Sequence, residues 1–183
     1  MDTLGVVESK SIAAGVELAD GMVKVAQVEL VKAATICAGR YLIYVTGDRQ
    51  AVETSVRFAE DSGRGLMGSF VISNISPQVV EALKKAAPAE EGDAIAVIEC
   101  RNVSSGVNAS DAAVKRSAVR LLRLVTGQGI MGKSYFVLGG DVASVREAAE
   151  AAKGALGSQL VEAVVIPRPE PSVVRSLTKG ISL

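Results

Sequence analysis

Leu4-Gly5-Val6-Val7-Glu8 returns 91 positions later as Ile95-Ala96-Val97-Ile98-Glu99, and that return decides the fold. The same offset pairs Gly15 with Gly106, Asp20 with Asp111, Lys24 with Lys115 and Val28 with Val119. It widens to 93, matching Gly39 with Gly132 and Gly47-Asp48 with Gly140-Asp141. It then reaches 94, matching Val71-Ile72 with Val165-Ile166 and Pro77 with Pro171. Self-similarity sustained over this length marks two copies of one structural unit. The 183 residues are therefore read as a first domain over 1–86, a linker over 87–93 and a second domain over 94–183.

Each copy spells strand, helix, strand, strand, helix, strand, short helix. Leu4 to Glu8 is a strand, and Ser11 can cap a helix whose Ile12, Val16, Leu18, Met22 and Val25 give an apolar face. Gln27 to Val31 and Tyr41 to Val45 are rich in the residues that suit a pleated, half-buried surface. Asp48 caps a second helix that Gly63 and Gly65 end, Leu66 to Ile75 returns as a strand, and Ser76-Pro77 opens a short helix with proline at its tolerated first position. The second copy repeats the plan, with Asp141 in the capping role of Asp48. The expected fold is α+β, two tandem units, each a four-stranded, mainly antiparallel sheet with helices.

Twenty basic and twenty acidic residues cancel, leaving no broad positive field for nucleic acid. No apolar run approaches the roughly 20 residues of a membrane span, and the start lacks a signal-peptide pattern, so the chain reads as cytosolic. It contains no histidine, which removes histidine triads and histidine metal sites. Hydrophobic residues make up 49% and aromatics only 3%, so the core must be packed by Val, Leu, Ile and Ala.

One of the two cysteines lies in Thr35-Ile36-Cys37-Ala38-Gly39-Arg40, a tight connection between strands. A single thiolate cannot hold a metal cluster, but a turn on the axis of a symmetric trimer supplies three, a number suited to a cubane cluster with its fourth site left to an external ligand. Cys100 aligns with Ser9 and reads as sheet packing. Gly127-Gln128-Gly129-Ile130-Met131-Gly132-Lys133-Ser134 matches the G-x-x-x-x-G-K-[ST] phosphate loop in letters only, because Tyr135 to Leu138 reads as a strand where that loop needs a helix N-terminus. The repeat makes this segment the counterpart of the Cys37 turn, two residues longer. Lys24 and Lys115 hold equivalent helix positions.

Leu4 to Glu8, Ala19-Asp20-Gly21-Met22-Val23-Lys24, Gly47-Asp48 and Val165-Ile166-Pro167-Arg168-Pro169 together resemble the bacterial microcompartment shell protein family, over almost the whole chain. Two unpermuted units resemble its tandem-domain trimeric class. The resemblance implies a ferredoxin-like-related domain, a homotrimer forming a pseudohexameric tile with a central pore, and neighbouring shell proteins edge to edge. It implies a [4Fe-4S] cluster held by Cys37 of each chain, for electron transfer across the shell or delivery of a cluster to an enclosed redox enzyme. Thr35, Ile36, Ala38 and Gly39 would form one pore loop, and Gly127, Gln128, Gly129, Ile130, Met131 and Gly132 the other. Lys24, Lys115 and Arg168 would be tile-edge contacts. The chain departs from the family turn at Ala38, where proline is usual. Two alternatives stand beside this reading. One is a cluster-free tile whose glycine-rich second loop gates a metabolite pore; the other, from a different class, is a cytosolic ligand-binding or enzymatic α+β protein unrelated to shells.

Overall fold

Apolar residues spaced for one helical face and alternating along strands build two four-stranded sheets with flanking helices. A computed structural model describes residues 2–84 and 92–179. The first repeat runs β1 (Thr3–Ser9), α1 (Ile12–Val25), β2 (Glu29–Ile36), β3 (Arg40–Gly47), α2 (Arg49–Asp61) and β4 (Leu66–Ser73). Its sheet has the order β2-β3-β1-β4, with every neighbouring pair antiparallel. Val7, Ile43 and Val45 of the sheet meet Leu18, Ala19 and Met22 of α1 and Val52, Val56 and Ala59 of α2 in one core. Ser55 is buried in it and donates to the Met22 carbonyl at 3.0 Å, so the hydroxyl is not left unsatisfied.

The helices start where the sequence places them. Ser11 Oγ accepts from Ala14 N, and Asp48 from Ala51 N at 2.9 Å, each relieving a donor without an intrahelical partner. β2 begins at Glu29 and continues to Ile36, so Thr35 and Ile36, expected in the loop, finish a strand: Ile36 pairs with Arg40 across a turn confined to Cys37–Gly39.

The chain continues with α3 (Pro77–Lys84), β5 (Ala94–Cys100), α4 (Val103–Arg116), β6 (Arg120–Thr126), β7 (Ser134–Gly140), α5 (Val142–Leu156), β8 (Leu160–Pro167) and α6 (Pro171–Lys179). The second sheet repeats the topology as β6-β7-β5-β8, again antiparallel throughout. Asp141 caps α5, accepting from Ala143 N and Ser144 N; a side-chain hydrogen bond from Ser144, and then those backbone bonds, hold its carboxyl below the usual carboxylate range. Most of the expected linker lies outside the described residues.

The compact units do not follow the repeat boundary. One comprises residues 1–75 with 102–105 and 127–132; the other takes the remainder, including α3. In that second unit the Gln78 amide donates to Val119 O at 3.1 Å and accepts from Leu121 N at 2.8 Å, fastening α3 along β6.

Gly15 lets α1 approach β3: a Cβ there would sit 2.3 Å from Tyr41 Cβ, an atom that no side-chain rotation can move away. Gly106, its counterpart, faces Ser134, whose Cβ would lie 3.0 Å from a Cβ there and whose Oγ, the nearer atom, can rotate. Gly15→Ala should therefore lower unfolding stability by about 1–3 kcal/mol through overpacking, despite the helix-propensity gain of about 1 kcal/mol. Urea unfolding followed by circular dichroism measures it; a variant as stable as the parent would contradict this packing.

Candidate functional site

The carboxylate of Glu8, fully buried at the end of β1, organises the ground beneath the cysteine turn. Its Oε1 accepts from Arg40 Nη1 at 3.0 Å, and its Oε2 accepts from Val103 N at 2.8 Å and Ser104 N at 2.9 Å, the first turn of α4. Asn102 caps that helix, its Oδ1 accepting from Ser105 N at 2.9 Å, while its Nδ2 donates to Met67 O. Guanidinium and helix N-terminus both place positive charge against the acid, which makes burial tolerable. Removing either side of such a buried pair costs about 3–5 kcal/mol.

Arg40 follows the turn directly and reaches further. The same Nη1 donates to Gly132 O at 3.1 Å, so one guanidinium ties Glu8, the start of β3 and the end of the glycine-rich segment together. Tyr44 lies buried on β3 with its hydroxyl unpartnered; burial, and then the charge of Glu8, push its phenol above the usual range. It stays neutral.

The turn itself is a single 3-10 turn, Cys37–Gly39, with Ala38 at φ 64° and Gly39 at φ 68°. Ala38 thus occupies left-handed backbone that proline, fixed near −65°, cannot adopt. Cys37 is half-buried. Its Sγ accepts from Gly129 N at 3.1 Å, and Gln128 Nε2 donates to Thr35 O at 3.3 Å. The segment from Gly127 to Gly132 wraps the turn using positive φ at Gly127, Gly129, Met131 and Gly132. Gly127 and Gly132 are buried, Ile130 is half-buried, and Gln128, Gly129 and Met131 face outward. β7 follows as a strand, so the phosphate-loop lettering has no helix behind it.

Here one chain supplies one thiolate, and among the described residues no group of three or more His, Cys, Asp or Glu could hold a metal ion. A thiolate with a backbone N–H aimed at its sulfur is a donor of the kind that binds iron–sulfur clusters, so the residues fit such a group when several copies contribute.

The tile-edge candidates stand on other elements. Lys24, exposed on α1, pairs with Asp20 at 2.6 Å. Lys115, on α4, pairs with Asp111 at 2.5 Å, and Asp111 also accepts from Ser76 N. Arg168 is exposed at φ 49°, the same conformation as its counterpart Asn74. Sequence reasoning missed Glu8 and Arg40 as site residues. The signal was available, since Glu8 and Glu99 close the quoted repeat and Arg40 and Lys133 occupy matching places, with Lys133 Nζ donating to Glu99 Oε1 at 2.8 Å.

Two tandem copies of one antiparallel unit make this a two-domain protein of internally repeated α+β units. The BMC domain model matches residues 3–75 and 94–169, and the chain belongs to the BMC domain family. It is 37% identical over 97% of its length, and 98% of the relative's, to the bacterial microcompartment shell protein PduT of Citrobacter freundii. A stretch of 87 residues also resembles the carboxysome shell protein CsoS1C of Halothiobacillus neapolitanus, 32% identical over 45% of this chain and 89% of that one. Among solved structures, a microcompartment protein from Desulfitobacterium hafniense DCB superposes with a TM-score of 0.80 at 38% identity, covering 96% of this chain and 99% of that one.

The two thiols should part on chemistry. Cys100 is buried on β5, and desolvation pushes its thiol up to about 11, so its reactive thiolate is scarce until well above neutral pH. With cluster-free protein near neutral pH, a disulfide reagent should modify Cys37 and spare Cys100 until denaturant is added. Because the folded thiol holds its proton longer than the unfolded one, Cys100 should also make stability fall as pH rises from about 9 towards about 11. Equal labelling of both thiols in the folded chain would contradict the burial.

Proposed function

We propose that the chain is a tile of a bacterial microcompartment shell, located in that shell in the cytoplasm, and that three copies form a pseudohexameric ring around a pore lined by the Cys37 turns. The observation that carries the reading is the cysteine turn, cradled by the second-repeat loop in a chain that belongs to the shell family. The similarity to PduT over nearly the full length supports it. Thr35, Ala38 and Gly39 line the pore from one repeat, and Gln128, Gly129, Ile130 and Met131 from the other; Ile36, Gly127 and Gly132, expected among them, are buried beneath this surface.

In this reading Cys37 of each chain would hold a [4Fe-4S] cluster shared by the three chains. Such a cluster, when bound, supplies one-electron redox chemistry at a potential set by hydrogen bonds to sulfur and by solvent exposure. The chain's own work is positional. Arg40 and Glu8 hold the base of the turn, Gly129 N–H points at the Cys37 sulfur, and the exposed Gln128 and Met131 control what reaches it. The role is electron transfer across the shell or cluster delivery to an enclosed redox enzyme, and no residue needs to act as acid or base. Purified without oxygen, the protein should carry about four irons and four sulfides per trimer, and Cys37→Ser should lose them while remaining a trimer. Iron-free trimers after reconstitution would favour a second reading, supported by the four positive-φ residues of the glycine-rich loop, in which that loop gates a metabolite pore.

At the tile edge, Lys24, Lys115 and Arg168 face neighbouring shell proteins, where an apolar stem can pack while the ammonium finds carbonyls. Replacing Lys24 and Lys115 together by Glu should stop sheet formation, seen by electron microscopy, with circular dichroism unchanged. Sheets of parental extent would remove the edge assignment.

A further inference from the structure

Matching positions of the two repeats differ in burial, and the differences form one pattern. Ile12 and Val16 on α1 are 43% and 51% exposed, whereas their counterparts Val103 and Val107 on α4 are fully buried. Leu30 on β2 is 44% exposed against 3% for Leu121 on β6. At the other end the asymmetry reverses: Val79 on α3 is fully buried and Val173 on α6 is 47% exposed.

The polar groups follow the same rule. In the first compact unit Glu8 is satisfied by Arg40 and by the Val103 and Ser104 N–H groups, and Arg40 also reaches the Gly132 carbonyl. Glu99 and Lys133 reproduce the acid and the cation, paired through Glu99 Oε1 alone and both partly exposed. The groups that would complete them are the Ile12 and Ala13 N–H groups in the first turn of α1, which have no intrahelical carbonyl to reach, and the Gly39 carbonyl. Both Ile12 and Ala13 are exposed. The space beside Gly39 is empty, whereas a Cβ at Gly132 would lie 2.9 Å from Cys37 O and 3.1 Å from Arg40 Nη1.

We infer that Glu99 and Lys133 of one chain form a docking surface for the α1 N-terminus and Cys37 turn of a second copy. Glu99 Oε2 accepts from Ile12 N and Ala13 N of that copy, Lys133 Nζ donates to its Gly39 carbonyl, and Val173 packs against its Leu30. The surfaces complement each other in charge, an acid meeting the positive end of a helix, and in apolar area. Head and tail are different surfaces, so the contact is heterologous, and in the ring proposed above it recurs as identical steps. Lys133 thereby does for the cysteine turn of the next chain what Arg40 does for the glycine-rich loop, and the pore site is complete only in the assembly. The inference rests on the ring proposed above.

Sedimentation of the intact protein over a concentration series, beside Glu99→Lys, tests the surface. Because Glu99 is not buried in the single chain, the variant should keep its circular dichroism but associate at least about tenfold more weakly. Independently, Ala13→Cys combined with Glu99→Cys, in a Cys37→Ser background, should give covalent trimers under mild oxidation on a non-reducing gel, and each single substitution should not. A parent that is monomeric at every concentration would overturn the ring itself. A trimeric parent whose paired cysteines form no inter-chain bond would overturn this docking surface and leave the ring standing; where sedimentation and cross-linking disagree, the cross-link decides.

Discussion

The carboxylate of Glu8 is the constraint on which the cysteine turn depends. A buried charge survives only if what surrounds it restores the water it has lost, and here two unrelated sources do so: a guanidinium from the start of β3 and the first two N–H groups of α4. Each source is fixed by something else. Asn102 ends the approach to α4 and holds its first turn, and Arg40 cannot leave the acid without also releasing the carbonyl of Gly132. The place of the glycine-rich segment, and so of the N–H that meets the cysteine sulfur, is therefore set by a charge balance at the floor of the site.

This division of labour explains why the loops can be composed of residues with little packing value. Glycines at positive φ contribute no side-chain contacts and lose more chain entropy than other residues on ordering. A rigid floor allows the exposed rim to remain small and open. Exposed Met131 and Gln128 supply the only bulky side chains facing outward from that segment among its described residues.

Much of this was legible in the sequence because it is local. The repeat, the strand and helix order and the caps at Ser11, Asp48 and Asp141 all rest on residues close together in the chain, and each is found in the structure. The extent of β2 was less so: Thr35 and Ile36 belong to the strand because Tyr41 and Arg40 pair with them, a register that composition does not encode. The company kept by α3, and the capture of residues 102–105 and 127–132 by the first compact unit, were out of reach for the same reason. Glu8 is the sharpest case. Its recurrence as Glu99 was visible, but an acid at the end of a strand ordinarily faces water, and only contacts about 95 residues away in the chain reveal that it is buried. Ala38 gave no warning of positive φ, which is uncommon for alanine and is held there by the pairing on either side.

Joining two repeats in one polypeptide has a consequence in arithmetic. A ring of identical single-repeat chains must carry the same residue at every loop, so six copies would bring six sulfurs to the axis or none. Covalent doubling makes alternate loops independently heritable: Cys37 can stand in one while Gly129 and Gly132 shape the other. In the ring proposed above, an odd number of sulfurs at the centre becomes available only through that loss of symmetry. The two-residue lengthening of the second loop is the visible trace of its freedom to diverge.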